Sequence, residues 1–149
     1  MTEGVKFMNL YYMNEASFDL PEAQFVDRTV TFLEARTPRG ATVTLLVQRL
    51  PIPLGQSLRD VVSAHLDWAA EKQRAFSVLS RQDTELDGAP AIELTARWRD
   101  DKGMVFRREA HFALGPRWLS IAGHSRFEEQ EQVNQHFDQL LGTLRMRSD

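Results

Sequence analysis

Four histidines, at positions 65, 111, 124 and 136, are the side chains best able to move protons or hold a metal near neutral pH. They are scattered over different segments. None stands with another histidine or an acid at a spacing that makes a metal site by itself, and His65 and Asp67, two apart in a helical stretch, point to different faces. No metal and no cofactor are expected. Ser120, His124 and Ser125 invite a hydrolase reading, as does His111 near Glu109, because a base beside a hydroxyl can make a nucleophile. Ser120 and His124, however, alternate with Leu119 and Ile121 along one strand, and no Gly-x-Ser-x-Gly elbow surrounds either serine. The acid pairs Asp100-Asp101 and Glu128-Glu129 fall in a turn and at a helix start, where acids are ordinary. There is no glycine-rich phosphate loop and no cysteine, which removes thiolate metal sites and cysteine nucleophiles together. The expectation is a protein that is not an enzyme.

Two polar residues stand among apolar ones. Period-two alternation in residues 104–112 puts Met104, Phe106, Arg108, Ala110 and Phe112 on one strand face, so Arg108 is a cation in apolar company. His65 is placed in the same way beside Val61, Val62, Leu66 and Ala69 on a helix. One reading is an arginine paired with an acid or reaching the rim, and a histidine at a helix boundary. The other is a pair of polar anchors in an otherwise apolar groove, where a few donors orient a ligand.

The elements that must position these residues are legible. Residues 10–21 read as two short extended pieces around an Asn14-Glu15 bend, stopped by Pro21. Residues 29–49 read as a β-hairpin turning at Thr37-Pro38-Arg39-Gly40, and Pro51 and Pro53 lead the chain off the sheet. Ser57 with Asp60 three residues on is a capping-box signature, which predicts a helix over 58–74. Strand periodicity over 77–86, 91–99, 103–114 and 117–124, punctuated by Asp87-Gly88, residues 100–103 and Gly115-Pro116, predicts an antiparallel meander. A final helix is expected over 128–144, with Val133, Phe137, Leu140, Leu141 and Leu144 on one stripe. Strands in hairpin succession, flanked by two helices, imply an α+β fold with an antiparallel sheet.

At 149 residues the chain is expected to form a single domain over 1–149, with residues 1–8 a flexible extension. A net charge of −3 argues against a nucleic-acid partner. The first residues lack a secretory h-region and no apolar run approaches the ~20 residues of a membrane span, so a cytoplasmic location without direct membrane insertion is expected.

The pattern Tyr11-x-x-Asn14-Glu15-Ala16-x-Phe18-x-Leu20-Pro21, followed by Asp27-Arg28-Thr29-Val30-Thr31-Phe32, resembles the DUF1795 (DcrB-like) family. More narrowly it is similar to the Eag effector-associated chaperones of type VI secretion systems. The resemblance continues through residues 57–76, the strand pair 91–112 and the last helix. It implies a Mog1/PsbP-like fold, a homodimer without enzymatic activity, and a client: the N-terminal transmembrane helices of a secreted effector, shielded before loading on the secretion spike. The groove it implies falls on Val30, Phe32, Val62, His65, Ala69, Met104 and Arg108, with His65 and Arg108 standing where the family carries glutamines. The competing expectation is an accessory or assembly module of the wider DcrB/PsbP-like family, with no membrane-helix client.

Overall fold

A computed structural model describes residues 9–12, 17–20 and 30–146. The proposed extension 1–8 and the Asn14-Glu15 bend lie outside those residues. Strands β1 (Asn9–Tyr12) and β2 (Ser17–Leu20) pair antiparallel, Tyr11 opposite Phe18. The main sheet has six antiparallel strands in the order β3-β4-β8-β7-β6-β5. They span Val30–Arg36, Thr42–Pro51, Arg74–Leu86, Ala89–Asp100, Gly103–Leu114 and Arg117–Arg126 for β3 to β8.

Local chemistry sets the corners. Gly40, at φ +81°, takes the left-handed position after Pro38-Arg39, its N–H donates to Thr37 O, and Thr37 N–H donates to Ala41 O. Between β5 and β6, Asp87 and Gly88 both adopt positive φ, as a two-residue primed turn requires. Helix α1 (Leu58–Lys72) opens on the expected capping box: Asp60 N–H donates to Ser57 Oγ at 3.2 Å, and Ser57 N–H donates to Asp60 Oδ2 at 2.9 Å. A 3-10 turn, Phe127–Glu129, leads into α2 (Gln130–Thr143).

The unbroken register from β3 through β4, β8 and β7 to β6 makes the two faces of the sheet easy to trace, since residues opposite each other in a pair share a side. Helix α1 lays Leu58, Val61 and Val62 on Ile92, Leu94 and Ala96 of β6. Helix α2 lays Val133 and Phe137 on the other face, against Val43, Phe106, Ala110, Phe112 and Ile121. The sheet is the middle of three layers. At Gly123, on the α2 side, a Cβ would stand 3.1 Å from Leu45, 3.2 Å from Val133 and 3.3 Å from Phe137, so glycine at this point lets the helix settle close to β8.

The α+β architecture with a flanked antiparallel sheet is as expected. The expected strand 77–86 starts earlier, at Arg74, because two register shifts, between Arg74 and Ser77 and between Val78 and Ser80, scramble its alternation.

Candidate functional site

The sheet gathers polar side chains at two places, one on each face. On the α1 side, alternation along β7 presents Glu109 and His111 beneath the helix, and α1 lowers His65 onto them. Glu109 and His111 are 3% and 0% exposed. His111 Nε2 lies 2.6 Å from Glu109 Oε1, and Arg107 Nε donates to Oε2 at 2.5 Å. His65 Nε2 spans both carboxylate oxygens at 3.2 and 3.3 Å. Trp118, across the strand pair on β8, donates its indole N–H to His111 Nδ1 at 2.9 Å.

That last bond fixes the chemistry. Nδ1 of His111 must keep its lone pair toward Trp118, so Nε2 carries the proton and donates it to Glu109. Burial works to raise the Glu109 pKa, but the hydrogen bonds from His111 and His65 and the Arg107 charge outweigh it and hold the carboxyl well below the usual range. Burial pushes the His111 imidazole down, against the hydrogen bond to Glu109, and keeps it neutral. His124, nearby on β8 and paired in register with Arg107, is lowered by burial and by the charges of Arg107 and Arg126. Its Nδ1 has no hydrogen-bond partner among the described residues.

His65, Glu109 and His111 bring their ligating atoms within 4.8 Å of one another, close enough to ask whether they would hold a metal. The donor set argues against it. A cation would need the Nε2 lone pair of His111, which would put a hydrogen on Nδ1 facing the Trp118 N–H. The guanidinium of Arg107 already neutralises the carboxylate. The cluster is a hydrogen-bonded strut that ties α1 to β7. Its signal in the sequence was an acid and a histidine two apart on one strand face; the third member comes from a helix 44 residues earlier, which spacing alone does not reveal.

On the α2 side, Arg108 is equally committed. It donates to Asp138 Oδ1 at 2.7 Å, to Glu93 Oε1 at 3.2 Å and to Asn134 Oδ1 at 3.3 Å, and its guanidinium stands 4.9 Å from the centroid of the Phe137 ring. The reading of an arginine paired with acids is the one the geometry bears out.

The seven residues expected to line one groove therefore do not share a surface. Val62 and Ala69 are 0% and 4% exposed beneath α1, where they pack on the sheet instead of facing a ligand. Met104 and Arg108 lie on the α2 face, opposite His65, because even-numbered residues of β7 point away from α1. Three remain on the α1 side: His65, partly exposed at the strut, and Val30 and Phe32, 51% and 57% exposed on the edge strand β3. Between β7 and that edge the α1 face is closed, with Ser120, Ala122 and Thr44 all buried. Trp68, on α1, is 56% exposed. On the other face, Leu33 and Ala35 of β3 join Val43, Leu45 and Leu140 around a groove of about 330 Å³.

A six-stranded antiparallel sheet between two helices is the α+β, PsbP-like class of fold. The solution structure of the cyanobacterial PsbP protein CyanoP from Synechocystis sp. PCC 6803 superimposes with a TM-score of 0.53 at 12% identity, over 85% of this chain and 84% of that one. Within that class, the chain belongs to the DcrB family, whose model matches residues 15–143. The crystal structure of PA94 from Pseudomonas aeruginosa, described as a protein of unknown function and suggested regulator, matches with a TM-score of 0.80 at 21% identity, covering 95% of this chain and 99% of that one. No curated protein sequence matches. Among the described residues no helix is long and apolar enough to cross a membrane.

Proposed function

We propose that the chain is a non-catalytic cytoplasmic chaperone, acting as a homodimer, that covers the N-terminal transmembrane helices of a type VI secretion effector before the effector is loaded on the spike. Membership of the DcrB family supports the reading, as does the resemblance of the opening residues to Eag-type chaperones. The observation that carries it is the half-exposed pair Val30 and Phe32 on an edge strand, on the same side of the sheet as the exposed Trp68. Large apolar groups left in water on a regular strand mark a surface meant to be covered. An apolar client helix has the matching need, and each Å² covered is worth about 25 cal/mol before ordering costs. The polar groups that the fold concentrates are occupied in holding helices down.

The alternative is a DcrB-like accessory module without such a client, and one experiment separates the two. Co-expression with the N-terminal region of a neighbouring effector should give a soluble complex. Phe32→Asp should weaken that complex at least tenfold while leaving the thermal midpoint of the free protein within a few degrees, because the side chain is exposed. A client that is equally soluble without this protein, or unchanged binding by the variant, would overturn the proposal.

A further inference from the structure

One end of the main sheet presents apolar groups on rigid turns. Residues 53–56 form a tight turn in which Gln56 N–H donates to Pro53 O at 3.0 Å and Gly55 takes φ +83° at the third position. Leu54 stands at the second position, the corner of the turn, and is 104% exposed, more than any other large apolar residue described. The β7–β8 turn beside it carries Gly115, at φ +61°, and Pro116. The two turns are fastened together, because Ile52 N–H donates to Pro116 O at 2.8 Å. Leu114, 37% exposed, and the exposed Pro53 and Pro116 complete the apolar tip. Turns at the opposite end, residues 37–40 and 100–103, carry no large apolar side chain. A leucine held on a hydrogen-bonded corner cannot fold back onto the core, so the backbone itself keeps Leu54 in water.

Cations surround this tip. The register sets Arg117 opposite Pro51 and Arg49 opposite Leu119, so both arginines lie on the α2 side as diagonal neighbours, and both are exposed. Helix α2 runs out at the same end, where Met146 N–H donates to Asp87 Oδ2 at 2.5 Å, and the exposed Arg145 immediately precedes it. None of these three guanidiniums forms a salt bridge among the described residues. The acids of this end are engaged or distant. Asp60 caps α1, Asp87 holds the Met146 N–H, and Glu85 lies on β5, three strands beyond β8. In a chain of net charge −3, three such cations around an apolar tip are a local reversal of sign.

We propose that this end of the sheet docks on an anionic lipid surface, with Leu54 at the boundary between headgroups and acyl chains and with Arg49, Arg117 and Arg145 against the lipid phosphates. Shape and charge select that partner together. Leu54 is convex, so it needs a phase that yields to it, and the headgroup boundary admits apolar side chains to a depth of roughly 5–10 Å. Guanidiniums on long stems reach the phosphates while their methylenes stay near the apolar tip. A nucleic-acid duplex would use the cations on its phosphates and leave Leu54 in water. The contact is peripheral, since no described helix is long and apolar enough to cross the bilayer. It needs no client and stands apart from the chaperone reading.

Sedimentation of the full chain with lipid vesicles tests it. Vesicles of phosphatidylcholine and phosphatidylglycerol at about 3:1, at millimolar lipid and low salt, should carry the protein down, whereas pure phosphatidylcholine vesicles should not. Arg49→Gln and Arg117→Gln should each lower the partition coefficient about fivefold, and salt at about 0.5 M should release the protein. Leu54→Ser should lower it about tenfold. Leu54→Trp should raise it severalfold, a gain that a misfolded chain cannot give. All three side chains are exposed, so the thermal midpoint of each variant should stay within a few degrees of the parent. Equal sedimentation with and without phosphatidylglycerol, or none with either, overturns the proposal. Binding that Leu54→Ser leaves intact, or that a DNA duplex matches in affinity, would show a general polyanion contact and overturn the lipid assignment.

Discussion

Glu109→Ala is expected to cost about 3–5 kcal/mol of stability, measured by urea unfolding at pH 7.5, because it strips a buried carboxylate from Arg107 and two histidines. What remains is a largely buried guanidinium without its counter-charge, an imidazole N–H without an acceptor, and a cavity under α1. Glu109→Gln keeps the volume and one acceptor and should lose less. The strut also gives stability a pH dependence with a definite sign. His111 and His124 have folded pKa values below their unfolded ones, so the unfolded chain takes up protons first as pH falls below about 6.5. Glu109, lowered as well, contributes stability above about 4.5 that is lost as pH falls through its depressed folded value. Unfolding free energy should be level from pH 8 to 7 and decline steadily from 6.5 to 4. A flat profile across that range would contradict the neutral, buried state of His111.

Phe137→Ala should be comparably damaging, about 3–5 kcal/mol, for a different reason. Phe137 is fully buried where α2 meets β7 and β8, and Gly123 leaves its ring room to lie close against the sheet. Truncation opens a large cavity and removes the aromatic face that Arg108 stacks upon. Adding Arg108→Met to Phe137→Ala should cost less than the two single losses summed, since both act on one contact. Full additivity in that double-mutant cycle would show that the guanidinium and the ring are not coupled.

The sequence was informative where local chemistry decides. Ser57 with Asp60, the Pro38–Gly40 turn and Asp87-Gly88 each named their element, because caps and turns are written within four residues. The last helix was readable from the spacing of Val133, Phe137 and Leu140, though its first residues form a 3-10 turn. Strand β5 was harder, since its bulges break the period on which the reading depends. For the site the limit was tertiary. Alternation correctly grouped Arg108 with Phe106 and Ala110, yet its acids arrive from β6 and α2. His65, Glu109 and His111 are unremarkable in three separate places and become a unit only when α1 crosses β7. The resemblance places Val62 and Ala69 in a groove, whereas the layer on which their helix face packs is not written in its period.

The strand order carries a kinetic consequence. Strands β5, β6, β7 and β8 follow one another as tight hairpins, so this half of the sheet can assemble through contacts close in sequence. The β3–β4 hairpin is also local, but among the described strands it joins the rest of the sheet through β4 against β8, where Leu46 meets Ala122 across a long closed loop. By chain entropy that joint should be the slowest in the sheet to form. In native-state hydrogen exchange, the amides linking β4 to β8 should open at lower free energy than those linking β6 to β7. The stretch that carries Val30 and Phe32 would then be a separately opening unit, fastened to the rest of the sheet along a single seam.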